Sequence, residues 1–97
     1  MALPNYEKEY NEFNQLIIFE DVNISVTTKA GDYVYKQGTF SVPNGYKVLS
    51  ASIIDNGYVS EMITSIISLK NTSVAVNAYC KNVQTHPVVV RVLFIKL

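Results

Sequence analysis

The chain of 97 residues has no tryptophan, one cysteine, one histidine and one arginine, with only three prolines and four glycines. A lone Cys80 closes no internal disulfide, so a domain this small must draw its stability from core burial or from association. A lone His86 leaves zinc without a histidine pair, and neither Cys-x-x-Cys nor His-Glu-x-x-His spacing occurs. The glycines stand singly at 31, 38, 45 and 57, so no loop is rich enough in them to cradle a phosphate. No run approaches the roughly 18 apolar residues that a membrane helix needs. The N-terminus shows neither the basic segment nor the apolar stretch of a secretion signal. Eight basic residues balance eight acidic ones, and a formal net charge of zero gives nucleic acid or an anionic membrane no field to follow. Neither is expected as a partner, and no cofactor or metal is expected.

What the chain does hold is β-branched. Valine and isoleucine together supply 22 residues, while leucine has 6 and alanine 5, which is a strand-former's composition. An apolar content of 48% with 16% charged residues places the chain among folded domains. The length allows one core. Charge is unevenly spread. Residues 1–21 carry five carboxylates against Lys8 alone, whereas residues 22–97 carry seven bases against three acids. The expected organisation is an N-terminal arm over residues 1–20 and a single β-domain over 21–97.

In the arm, Leu3, Tyr6, Tyr10, Phe13 and Ile17 recur at alternating intervals of three and four, a brief heptad seam. Asn5 suits an N-cap, and Glu7 and Glu9 then fall where the helix dipole favours carboxylates. Two readings stand: a short helix or extended arm packed on its own body, or a helical collar joining identical subunits. Beyond Gln15 the period becomes two. Val22, Ile24 and Val26 alternate with Asn23, Ser25 and Thr27; further strands are expected at 33–36, 39–42, 46–54, 64–69, 73–80 and 88–95. Turn signals lie between them at 29–32, at Pro43-Asn44-Gly45, at Asp55-Asn56-Gly57 and at Lys70-Asn71-Thr72. Short strands at this spacing, with no amphipathic helix among them, predict an antiparallel β-sandwich, jelly-roll-like, or a small barrel. In the last strand Val88, Val90, Val92 and Phe94 line one face, and Val89, Leu93 and Ile95 line the other. Both faces ask for cover, either from the chain's own elements or from a second subunit.

Groups able to trade protons are few. Cys80 and His86 would make a nucleophile and base only if both were exposed, yet Cys80 shares a strand face with Val74, Val76 and Ala78, which marks a buried structural thiol. Asp32 and Asp55 sit in turns, where aspartate commonly bonds its own backbone. Tyrosine is the abundant surface resource, with seven copies. Tyr33, Tyr35, Tyr58 and Tyr79 offer rings for sugars, beside the amides of Asn56, Asn82 and Gln84 and the imidazole of His86; the plainer reading has strand tyrosines covering a core.

The segment Gly38-Thr39-Phe40-Ser41-Val42-Pro43-Asn44-Gly45-Tyr46-Lys47-Val48-Leu49, the alternating Val74-Ala75-Val76-Asn77-Ala78-Tyr79 with the Asn82 loop, and the closing Val90-Arg91-Val92-Leu93-Phe94-Ile95-Lys96 together resemble the C-terminal β-domain of tail, tail-fibre or baseplate proteins of bacteriophages or prophages of Gram-positive bacteria. The resemblance covers residues 38–97. It departs where Phe94 stands in place of an often expected tyrosine and in that residues 1–37 hold no long fibrous part. It implies a homo-oligomer, a trimer favoured, in the phage virion, made in the bacterial cytoplasm without a signal peptide. It further implies loops that meet a host saccharide, other tail proteins as neighbours, and no enzymatic activity. The ligand contacts expected are Asn56, Tyr58, Asn82, Gln84 and His86; the subunit contacts expected are Tyr6, Tyr10, Phe13, Ile17, Val90, Val92 and Phe94. A purely structural adaptor is the alternative, and a small cell-wall hydrolase the least favoured.

Overall fold

The computed structural model describes residues 16–56 and 63–97. Among them lie six strands: β1 Ile17–Thr27, β2 Asp32–Thr39, β3 Tyr46–Asp55, β4 Ile63–Leu69, β5 Ser73–Cys80 and β6 Thr85–Lys96. They form two three-stranded antiparallel sheets, β1-β6-β3 and β2-β5-β4, so the fold is an all-β sandwich. Consecutive strands alternate between the sheets except at the β4–β5 hairpin, the connection pattern of a jelly roll reduced to six strands.

The period-two valines decide which faces meet. Val22, Ile24 and Val26 of β1, and Val88, Val90, Val92 and Phe94 of β6, point inward from one sheet. Val74, Val76 and Ala78 of β5 face them from the other. Phe40, in the β2–β3 connection, closes one end of the core against Phe94 with ring centroids 5.8 Å apart. Each central strand, β5 and β6, is bonded on both sides, and most of the buried apolar residues lie on these two.

Several expected boundaries move. The sheet begins at Ile17, so Ile17–Glu20 belong to β1 and not to the arm. The segments 33–36 and 39–42 are not two strands; β2 runs unbroken from Asp32 to Thr39 through Gly38. A Cβ at Gly38 would stand 2.7 Å from Val22 Cγ1 and 2.8 Å from Ile24 Cγ1, so this glycine admits close approach of the two sheets. The Pro43–Tyr46 turn forms as the sequence suggests, with Tyr46 N–H donating to Pro43 O at 3.1 Å and Gly45 at φ 86°. Leu3, Tyr6, Tyr10 and Phe13 of the heptad seam, the expected arm or helix, and Tyr58 lie outside the described residues.

The outer strands are kept from pairing further. β3 carries register shifts at Val48/Ser50 and Ile53/Asp55, and β4 one at Ile66/Ser68. Bulges of this kind spoil an edge as a template. On the opposite edge, Glu20 of β1 and Lys36 of β2 sit in the inward rows yet remain exposed, and charges so placed discourage strand addition.

Candidate functional site

Strand directions sort the loops into two ends. The 28–31 turn, Asn56 after β3, the start of β4 and the 81–84 loop gather at one end; the 40–45 connection, the 70–72 turn, the start of β1 and the end of β6 gather at the other. Four of the five expected ligand residues, Asn56, Asn82, Gln84 and His86, therefore share one end of the sandwich.

This end is built around a buried hydroxyl. Thr28 Oγ1 donates to Asn82 O at 2.7 Å, with a longer contact to Gln84 O at 3.2 Å, and accepts from Gln84 N–H at 3.0 Å. The Thr28 N–H donates to Gln84 O at 2.8 Å, and Gly31 N–H to Cys80 O at 3.1 Å. The 81–84 loop is thereby tied to the 28–31 turn by both side chain and backbone. Gln84 Oε1 lies 2.6 Å from His86 Nε2, so the amide and the imidazole hold each other on the rim. Asn56 is half-buried and lines an open cleft of about 420 Å³ with Ile53, Ile54, Asp55 and Thr64. No residue of 82–86 lines that cleft, so the two groups share an end without sharing a pocket.

Chemically the end mixes the amides of Asn56, Asn82 and Gln84 with exposed Val83 and the charged side chains of Lys29, Asp32 and Lys81. His86 is paired to an amide, and Cys80 is fully buried, so the imagined thiol and imidazole dyad is not assembled. Among the described residues no group of three His, Cys, Asp or Glu side chains comes together to hold a metal.

The expected subunit contacts divide. Val90, Val92 and Phe94 are at most 1% exposed inside the chain's own sandwich, so they are corrected to core residues; a second subunit cannot reach them. Ile17 does lie at the surface, on the outer face of the β1-β6-β3 sheet. There it pairs across to Ile95, while Phe19 pairs across to Leu93. With Leu49, displaced outward at a bulge, these form an apolar patch at the end opposite the amide loops. The patch is bordered by Arg91, whose guanidinium stands 4.1 Å from the Phe19 ring centroid and donates to both Asp21 carboxylate oxygens at 2.9 and 3.1 Å. These hydrogen bonds hold the Asp21 carboxyl below its ordinary value and the Arg91 guanidinium above its own. Phe19 and Leu49 escaped the sequence reading. The cross-strand register and the bulge create the patch, and neither has a signal in a single sequence.

The outer face of the β2-β5-β4 sheet is different in kind. Its rows are Tyr33, Tyr35, Gln37 and Thr39 on β2, Ser73, Ala75, Asn77 and Tyr79 on β5, and Ile63, Ser65 and Ser68 on β4. None of these is charged. Tyr33 and Tyr79 pack with centroids 5.2 Å apart, and Tyr35 Oη donates to Gln37 Oε1 at 3.2 Å. At the end away from the amide loops, a second cleft of about 470 Å³ is lined by Ser41, Val42, Tyr46, Lys47, Val48, Asn71 and Thr72. No protein-family model, curated protein or solved structure matches this chain.

Proposed function

We propose that the protein is a non-enzymatic assembly and adhesion module of the phage tail or baseplate type that residues 38–97 resemble. Copies join through the apolar patch of Ile17, Phe19, Leu49, Leu93 and Ile95, three copies favoured, and the amide loops at the other end meet a host-surface polysaccharide. The observation that carries this reading is the apolar patch on the outer face of the β1-β6-β3 sheet. Ile17, Phe19 and Leu49 stand exposed there beside Leu93 and Ile95, at the end opposite the 28–31 and 81–84 loops, which the Thr28 hydroxyl ties together. Exposed apolar patches mark association sites, and loops on a rigid scaffold are where ligand contacts concentrate. Because both edges carry bulges or inward-row charges, copies meet face to face and not by adding strands.

The test is binding of the assembled protein to purified Gram-positive wall polysaccharides, with Asn82→Ala and Gln84→Ala as variants. Binding weakened by both variants supports adhesion. No binding, together with co-purification of neighbouring tail proteins, assigns the protein to the purely structural adaptor class.

A further inference from the structure

We infer that the outer face of the β2-β5-β4 sheet is a platform for an uncharged polysaccharide chain, running from the amide loops down the flank of the sandwich. The inference rests on the adhesion half of the proposed function and gives it a ligand class. Three observations converge. Tyr33 and Tyr35, alternate residues of one strand, are 60% and 58% exposed on the same face, and Tyr79 stands beside Tyr33 across the ladder. Alternate residues of a strand lie about 7 Å apart, far enough for each phenol to take its own sugar ring. Around them Gln37, Asn77 and Ser65 supply amide and hydroxyl groups that both donate and accept, as sugar hydroxyls require.

The charge pattern selects the occupant. The paired residues of this face include no lysine, arginine, aspartate or glutamate; Lys70, whose N–H donates to Ser73 O at 2.8 Å, stands beyond them in the β4–β5 turn, so the face offers little to a phosphate backbone, an anionic headgroup or a charged peptide. The opposite sheet face, by contrast, mixes exposed aliphatic side chains with the Asp21–Arg91 pair and Lys47, which suits a protein neighbour. Aromatic rings flanked by amides and free of ions match a neutral, polyhydroxylated chain, whose C–H faces pack on the rings while its hydroxyls meet the amides. The platform is continuous with the loop end, because Tyr33 and Tyr79 each lie one residue from the Asp32–Cys80 pair that adjoins the 28–31 and 81–84 loops.

The test uses cellohexaose, maltohexaose and neutral dextran as probes, with dextran sulfate as the charged control. The chain has no tryptophan, so tyrosine emission of the intact protein reports the rings directly. At least one neutral probe should quench that emission at millimolar concentration, and dextran sulfate should do no better. Tyr33→Ala and Tyr35→Ala should each weaken binding by roughly tenfold, the size of one aromatic stacking contact. Tyr35→Trp, which keeps a stacking surface and cannot fail for want of one, should retain binding and report it by tryptophan emission. Absence of binding by all three neutral probes overturns the inference, as does binding indifferent to both alanine variants. A change in subunit association without a change in sugar binding makes the face an interface between copies and likewise overturns it. Binding lost in Asn82→Ala but untouched in Tyr33→Ala and Tyr35→Ala would refute the platform while leaving the proposed function intact.

Discussion

Replacing Gly38 by alanine puts one methyl group where the two sheets approach closely. Its carbon would lie 2.7 Å from Val22 Cγ1, 2.8 Å from Ile24 Cγ1 and 3.1 Å from Ile24 Cδ1, where ordinary contact begins at 3.4 Å. Only the Ile24 Cδ1 clash yields to rotation at the end of a flexible side chain. The two Cγ1 atoms belong to β-branched residues with a stiff χ1, on a strand paired with β6 along its full length, so relief requires the sheets to move apart. Overpacking of a closed core costs about 1–3 kcal/mol. Two effects act the other way: Gly38 is not at positive φ, so alanine meets no backbone strain, and restricting the unfolded chain returns roughly 0.4–1 kcal/mol. The steric term wins. The net loss should be about 1–2 kcal/mol, which for a domain of this size lowers Tm by roughly 4–16 °C. Circular dichroism melts and urea titrations at one fixed protein concentration measure it, since Tm of an associating protein moves with concentration. The double variant Gly38→Ala/Val22→Ala should lose less than the sum of its singles, with a coupling of about 0.5–3 kcal/mol. Wild-type stability in Gly38→Ala, or strict additivity in the pair, would refute the close approach of the sheets.

Two further outcomes follow from named contacts. Thr28→Val keeps the shape but leaves Asn82 O without the hydroxyl donor and Gln84 N–H without its acceptor; because Asn82 is exposed and Gln84 half-buried, so that water can replace part of what is lost, the cost should be about 1 kcal/mol for each lost bond. Amide exchange at Gln84 should speed up in this variant while exchange in β6 beyond Val88 changes little. The Asp21 carboxyl is depressed below its ordinary value of 3.8 by the hydrogen bonds from Arg91, so its stabilising contribution is fully present above that value and is lost as pH falls through the lower, folded value. Melts taken between pH 5 and pH 2 should show a wild-type decline that Asp21→Asn lacks in part, and added salt should narrow the difference.

The core was legible because its signal is local. The alternation at Val22–Val26, Val74–Cys80 and Val88–Phe94 names the buried face of three strands, and the structure buries those residues. What one sequence could not carry is anything set by pairing. Gly38 looks like a strand break in the sequence, yet it sits inside β2 because another sheet passes close by. The two apolar faces of β6 suggested a subunit boundary at Val90, Val92 and Phe94, but sheet order puts that face in the chain's own core and leaves Leu93 and Ile95 for the outside. Leu49 and Ile54 are exposed through bulges that depend on β6 as partner. The grouping of Asn56, Asn82, Gln84 and His86 at one end follows from strand direction and order, which neither spacing nor composition encodes.

The measurement that bears most directly on the account is sedimentation velocity of the wild-type protein and of Leu49→Lys across the micromolar range. Leu49 is 46% exposed, so lysine there spares the fold of a single copy. The account predicts an assembly of more than one chain for the wild type, and a folded monomer, with its melt retained at matched assembly state, for the variant. A wild-type protein that sediments as a monomer throughout that range would contradict it.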